Sequence, residues 1–150
     1  MSVATPPDVI QERLQAHLEA EVALDVDATM ATMSANPIWE CVPLNFRATG
    51  ADAVRELYNR VIANYIPRLQ NFEELTTSIG ENQAVVEHMF TMDMPDGSVA
   101  HGHHLAIALM EHGEMVGERV YFDSTVEKLF RWALGEEFFD LPGVTLLNES

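Results

Sequence analysis

Hydrophobic positions along this chain keep two different periods. From Val9 to about Ala23, apolar residues fall at Ile10, Leu14, Leu18 and Val22, a four-residue spacing that predicts a helix with one buried stripe. A short tail with Pro6 and Pro7 precedes it, and Asp8 is a suitable N-cap. Asp25 predicts the cap of a second, short helix through Met30 and Met33, which Asn36-Pro37 stops. Ile38 to Leu44 reads as a strand. Thr49-Gly50 leads into a third helix, Ala51 to Tyr65, with Val54, Leu57, Tyr58, Val61 and Ile62 on its inner face and an end near Pro67. The period then shortens to two. Phe72–Ile79, Gln83–Met94, Val99–Met110 and Met115–Asp123 predict four strands, joined by turns at Gly80-Glu81-Asn82, Pro95-Asp96-Gly97 and His112-Gly113. Ser124 with Glu127 three residues on has the capping-box pattern and predicts a last helix to about Leu134, closed by Gly135. From Phe138 onward the chain is apolar without a period, as an arm lying on its own subunit or on a neighbour would be.

Three helices and a strand, then an antiparallel meander, then a helix: this order predicts an α+β roll. Its sheet, antiparallel or mixed and strongly curved, would carry three to four helices over its concave face and enclose a cone-shaped cavity, a natural ligand site. The organisation expected is a tail over 1–8, one domain over 9–135 and an extension over 136–150. Composition narrows the function. The 24 acidic residues against 8 Lys and Arg leave a net charge of −16, which repels phosphate backbones and anionic bilayers, so neither nucleic acid nor membrane is an expected partner. No apolar run approaches the roughly 18 residues that span a bilayer. The N-terminus lacks the basic start and apolar core of a signal peptide. The single cysteine, Cys41, permits no internal disulfide, and a cytoplasmic setting is expected. There is no G-x-G-x-x-G loop and no P-loop, so no nucleotide, nicotinamide or flavin cofactor is expected.

Three segments in order carry a family resemblance. Asp25-Val26-Asp27 with Met30 and the strand Ile38-Trp39-Glu40, then Gly50-Ala51-Asp52-Ala53-Val54-Arg55-Glu56-Leu57-Tyr58, then Gly117-Glu118-Arg119-Val120-Tyr121-Phe122-Asp123 with its helix to Leu134-Gly135, resemble the nuclear transport factor 2-like superfamily, in its SnoaL-like branch. The resemblance spans about residues 9 to 135. It implies the cone-shaped roll, and a function drawn from ketosteroid isomerases, polyketide cyclases, epoxide hydrolases, dehydratases or non-catalytic binding modules. Fold leaves that choice open, so pocket residues must make it.

The resemblance also implies an inward face. It would hold Glu118, Val120 and Phe122 on the last strand, and His101, His103, Leu105, Ile107 and Leu109 on the long strand before it. Val86, His88, Phe90 and Met92 would come from the next strand, Trp39 and Cys41 from the first strand, and His17 from the first helix. At the places where ketosteroid isomerases carry a tyrosine and two acids, this chain has His17, Cys41 and Leu105, so that mechanism is not expected. No inward arginine is evident, which removes the Asp–Arg–Asp chemistry of the epoxide hydrolases. What remains is a greasy pocket with several imidazoles and one carboxylate. Imidazole titrates near neutrality, and a desolvated Glu118 would have a raised pKa, so the pair could move protons. The expectation is an enzyme with a small, neutral, cyclic or aromatic substrate, acting by cyclisation, dehydration or isomerisation. His103, His101, Glu118 and His88 would act; His17, Trp39, Cys41, Tyr58, Phe90, Leu105, Ile107, Val120 and Phe122 would bind. The alternative is a non-catalytic binding or dimerisation module.

Plainer roles stand beside these. Strand-end histidines are often solvated, Glu118 could pair with a basic neighbour at the rim, and Trp39 and Phe122 could be core. Cys41 reads as a small buried hydrophobe, and Asp123 as a cap for the last helix. His101, His103, His88 and Glu118 could in principle hold a divalent ion, but His-x-His is a short pattern and the expectation is no metal. A homodimer is expected, because the sheet's other face, taken as Val85, Met89, Ala106, Ala108 and Met110, is also apolar and needs cover. The chemistry hangs on strand register: odd-numbered side chains from His101 onward must point inward.

Overall fold

The computed structural model describes residues 3–148. Two helices, α1 (Pro7–Val22) and α2 (Val26–Ala31), precede strand β1 (Met33–Cys41) and a short strand β2 (Phe46–Thr49). Helix α3 (Ala51–Asn64) and a 3-10 turn lead into the long strands β3 (Leu69–Gly80), β4 (Gln83–Asp93), β5 (Val99–Glu111) and β6 (Glu114–Phe122). Helix α4 (Ser124–Leu134), a second 3-10 turn and a last strand β7 (Val144–Leu146) complete the chain. The sheet runs β3-β4-β5-β6-β1-β2-β7, antiparallel throughout except where β1 lies parallel to β6. Register shifts in β3, in β1 and between Leu109 and Met110 mark the irregularities by which a sheet bends. None of the described helices is long and apolar enough to cross a membrane.

Each helix lays its apolar stripe on the concave side. Ile10 and Leu14 of α1 pack with Val86, Ala84, Ala108 and Met115 in one cluster; Leu57, Tyr58, Val61 and Ile62 of α3 join Trp39, Phe46, Leu129 and Phe130 in a larger one. Two glycines let the layers close. A Cβ on Gly102 would collide with a Val126 methyl of α4, and one on Gly117 would lie 2.5 Å from the Ile38 carbonyl oxygen. The α+β cone expected from the sequence is therefore the fold of this chain.

Details differ, each for a physical reason. Met33 begins β1 rather than ending the second helix, because α2 stops at Ala31 and Thr32 turns its hydroxyl back onto the Thr29 carbonyl at 2.6 Å. β2 carries no sequence pattern of its own length; it exists because β1 and β7 pair with it. The C-terminal segment lies on its own subunit, with Phe138 fully buried and β7 on the sheet edge. Asp123, not Ser124, is the N-cap of α4, accepting from the Thr125 and Val126 amides.

The largest correction is the register of β5. His104, Ala106 and Ala108 pair with Phe122, Val120 and Glu118, and His88 with His104. Even-numbered residues therefore face the hollow. His101, His103, Leu105, Ile107 and Leu109 face the convex side, while Ala106, Ala108 and Met110, expected there, lie inside. Both faces of this strand are apolar, so the bulkier set looked like core. Small side chains occupy the concave side because α1 and the cavity already fill the space above them.

Candidate functional site

A cavity of about 340 Å3 lies between α1, α3 and the concave face of the sheet. Its walls are apolar and aromatic: Leu14, Leu18 and Val61 from the helices, Trp39, Val86, Phe90 and Val120 from the strands, and Phe130 from α4. Val22 and Phe72 line it and are 69% and 50% exposed, so its mouth lies between the end of α1 and the edge strand β3. Trp39 is fixed by stacking on Phe130 with planes 1° apart and centroids at 5.6 Å, and on Phe46 at 6.0 Å.

That clamp aims the indole Nε1–H at Glu118, whose Oε2 accepts it at 2.8 Å. The Tyr58 hydroxyl donates to the same oxygen, also at 2.8 Å. Its proton thus committed, Tyr58 accepts from His17 Nε2 at 3.1 Å. His17 Nε2 also lies 2.7 Å from Glu21 Oε1 and 3.5 Å from Glu118 Oε2. At the other end of the ring, Nδ1 lies 2.7 Å from Thr32 Oγ1. Because the Thr32 hydroxyl gives its proton to the Thr29 carbonyl, it can only accept from Nδ1–H. Both ring nitrogens then carry protons, and His17 is an imidazolium held between two carboxylates.

The charges follow that geometry. Burial opposes charge on His17, but the carboxylates of Glu118 and Glu21 outweigh it and raise its pKa to about 10. Burial likewise opposes charge on Glu118, but His17, Tyr58 and Trp39 prevail and pull it down to about 2. This reverses the expectation of a raised Glu118. The raised carboxyl is Glu21, where burial and the neighbouring Glu118 charge win over His17. One imidazolium cannot fully compensate two carboxylates.

Other polar groups in the cavity lack protein partners among the described residues. The Tyr65 hydroxyl is buried and unbonded. His104 is kept neutral by burial, its pKa lowered to about 4; His88, its cross-strand neighbour, is lowered by burial too. Glu118 Oε1 makes no hydrogen bond and is not sealed from the cavity.

The expected site residues therefore divide. Glu118, His88, Trp39, Tyr58, Phe90 and Val120 line the cavity, and His17 lies directly behind Glu118 and Glu21. Phe122 sits one layer away, packed on His104 and Phe130. Cys41 is buried off the cavity, its thiol pushed up to about 12 chiefly by burial. His101 and His103 are exposed, and the amide of His103 is bonded to the Asp123 cap at 3.0 Å. Leu105 and Ile107 are on the convex face. Three contributors were not foreseen: Glu21, Tyr65 and His104. Two had a signal. Glu21 lies four residues after His17, and Tyr65 continues the spacing of Tyr58, Val61 and Ile62 on α3.

No protein-family model and no curated protein matches this sequence. Solved structures do match. An NTF2-like protein of unknown function from Cytophaga hutchinsonii is 16% identical, with a TM-score of 0.63 over 76% of this chain and 99% of its own. SalBIII, an epoxide hydrolase/cyclase-like enzyme of pyran ring formation in the polyether salinomycin, is 19% identical, with a TM-score of 0.63 over 77% of this chain and 91% of its own. TerC, co-crystallised with polyporic acid, is 14% identical, with a TM-score of 0.64 over 81% of this chain and 98% of its own. At such identities the likeness is one of architecture, and by architecture this chain has the nuclear transport factor 2-like fold.

Proposed function

We propose that the chain is a small-molecule enzyme that moves protons on a neutral cyclic or aromatic substrate held in the cavity. The observation carrying this reading is the set of polar groups in the wall of an apolar cavity that lack protein partners: the His104 ring and one oxygen of Glu118, with the Tyr65 hydroxyl buried and unbonded among them. A buried hydroxyl left unbonded costs about 1–3 kcal/mol, a cost that a ligand oxygen would remove. The aromatic walls suit a flat or cyclic body. That SalBIII is cyclase-like and TerC was crystallised with polyporic acid is in keeping with such a ligand.

Roles follow from proton affinity. A general acid or base works best when its pKa lies near the working pH. Glu118, drawn down to about 2, is a poor base; it serves as a fixed negative charge that orients a substrate donor or steadies a developing cation. Glu21, raised and at the cavity, is the carboxyl matched to proton transfer. His104 and His88, neutral at physiological pH, supply acceptors on the opposite wall. His101 and His103 take no part.

The mutual satisfaction of Trp39, Tyr58, His17 and Glu118 favours a second reading, a non-catalytic binding module whose polar network is structural. Deuterium exchange separates the two. The protein is incubated in D2O with a panel of cyclic ketones that bear hydrogens alpha to the carbonyl, and carbon-bound deuterium is followed by mass spectrometry. Exchange above buffer, reduced at least about tenfold in Glu21→Gln, is the outcome expected of an acid–base contribution. Saturable binding with no exchange would leave the binding module.

A further inference from the structure

The cluster behind the cavity has more negative charge than its one imidazolium offsets, and its donors converge on a point. One donor atom each from His17, Glu21 and Glu118 lies within 4.8 Å of the other two. The Tyr58 oxygen is 3.1 Å from His17 Nε2. We propose that His17, Glu21 and Glu118 form a site for one divalent first-row transition-metal ion, with its remaining coordination positions open to the cavity. This deepens the enzymatic reading: an ion there, displacing the His17 Nε2 proton to solvent, would polarise a substrate oxygen entering from the cavity, with Glu21 then serving as ligand instead of proton carrier.

Four features support it. The first is spacing: donors about 2.1 Å from a tetrahedral ion lie about 3.4 Å apart. The Nε2–Glu118 separation is already 3.5 Å, and the Nε2–Glu21 contact, 2.7 Å, must open by about 0.7 Å. Glu21 can yield, because its side chain is 21% exposed whereas His17 is fully buried. The second is support behind the ligands. Thr32 accepts from His17 Nδ1–H and so presents Nε2 to the cluster, the arrangement usual for metal-binding imidazoles. Trp39 and Tyr58 likewise fix the carboxylate of Glu118. The third is donor chemistry: one imidazole and two carboxylates suit Zn2+, Mn2+ or Co2+ better than a thiolate-seeking ion.

The fourth is independent of the cluster's own bonds. Tyr65 is 95% buried by the measure of its 5% exposure, lines the same cavity, and leaves its hydroxyl unbonded beside it. Its hydroxyl is a donor that no protein group takes up, and a small shift of the ring would let it bond an oxygen held in that cavity. The site differs from the His101, His103, His88 and Glu118 set considered from sequence, which the β5 register disperses over both faces.

The test uses the untagged full chain after EDTA treatment and dialysis. Co2+ is added and its visible d–d absorbance followed, and Zn2+ binding is measured by calorimetry. The expected result is saturation at about one ion per chain, with Glu21→Gln weakening binding about 100-fold and Thr32→Val about tenfold. Thr32→Val touches no ligand atom, so its effect reports the support behind His17 even if a ligand variant folds poorly. Saturation without d–d bands, no saturation, or binding unchanged in Glu21→Gln would each overturn the site, the last by showing an ion on the acidic surface. The measurement needs no substrate. Metal bound with no deuterium exchange would sink the enzymatic reading alone, and exchange persisting in EDTA with no metal bound would sink this inference alone.

Discussion

Two tyrosines one helical face apart, Tyr58 and Tyr65, have opposite energetic roles. The Tyr58 hydroxyl completes a network of buried charges, so Tyr58→Phe leaves Glu118 and His17 each short of a partner and should cost about 1–3 kcal/mol. The Tyr65 hydroxyl has no partner to lose, so Tyr65→Phe should leave stability unchanged or raise it by up to about 1 kcal/mol, while weakening any cavity ligand. Urea unfolding of both variants checks the contrast; equal losses would contradict it. His17 gives a pH signature in EDTA buffers. Its folded pKa of about 10 exceeds 6.5, so its contribution is complete below pH 6.5 and is lost as pH rises through 10. Glu118, lowered from 4.5 to about 2, contributes fully above pH 4.5 and loses that contribution as pH falls through 2. Both are therefore fully present between pH 4.5 and 6.5. The melting-temperature gap between the native chain and His17→Gln should be widest there and should narrow steadily toward pH 10. A gap independent of pH would mean that His17 acts through packing.

At the scale of elements, Asp123 joins α4 to β5. One carboxylate oxygen caps the helix at Thr125 and Val126, and the other accepts from the His103 amide. Asp123→Ala should cost about 1–2 kcal/mol, while Ser124→Ala, the other cap suggested by sequence, should stay within about 0.5 kcal/mol. Thermal denaturation decides between them, and a larger loss at Ser124 would reverse the capping assignment. How far the elements could be read from sequence depended on local information. The stripes of α1 and α3 were legible because a 3.6-residue period is written in consecutive residues. β2 and β7, four and three residues long, were not, since edge pairing between distant segments creates them. Glu118, Trp39, Phe90 and His88 could be placed because their strands present one clear face. On β5 the alternation of Leu105, Ile107 and Leu109 with Ala106, Ala108 and Met110 left both faces apolar, and side-chain size pointed the wrong way. Glu21 shares a helical face with His17, but only the placement of α1 over the cavity, a tertiary fact, brings its carboxyl to the site.

At the scale of the whole molecule, the register that emptied the cavity of His103 gave the convex face its apolar side chains. Leu105, Ile107 and Leu109 stand there beside Val85 and Met89 of the adjoining strand, all half-buried at the centre of a broad sheet. Toward β1 the same face carries Glu40, buried, with Arg47 at 3.1 Å and Arg119 at 3.4 Å. A second copy is the occupant to expect. Rotated by a two-fold axis, the patch is its own complement, and an isologous contact asks for no other surface. Charge opposes this pairing, because each subunit brings a net −16 to the other. Screening shortens the reach of that repulsion to about 8 Å at physiological ionic strength, while burial of aliphatic groups is little affected by modest salt. Association should therefore tighten as NaCl is added, the opposite of an interface held by ion pairs. Leu105→Glu, which puts a further carboxylate at the patch centre, should abolish it while leaving the cavity intact. Sedimentation velocity at micromolar concentration, with and without salt, reads both effects. A monomer under every condition would leave the convex face without a second copy, and a dimer that salt dissociates would assign the contact to charge.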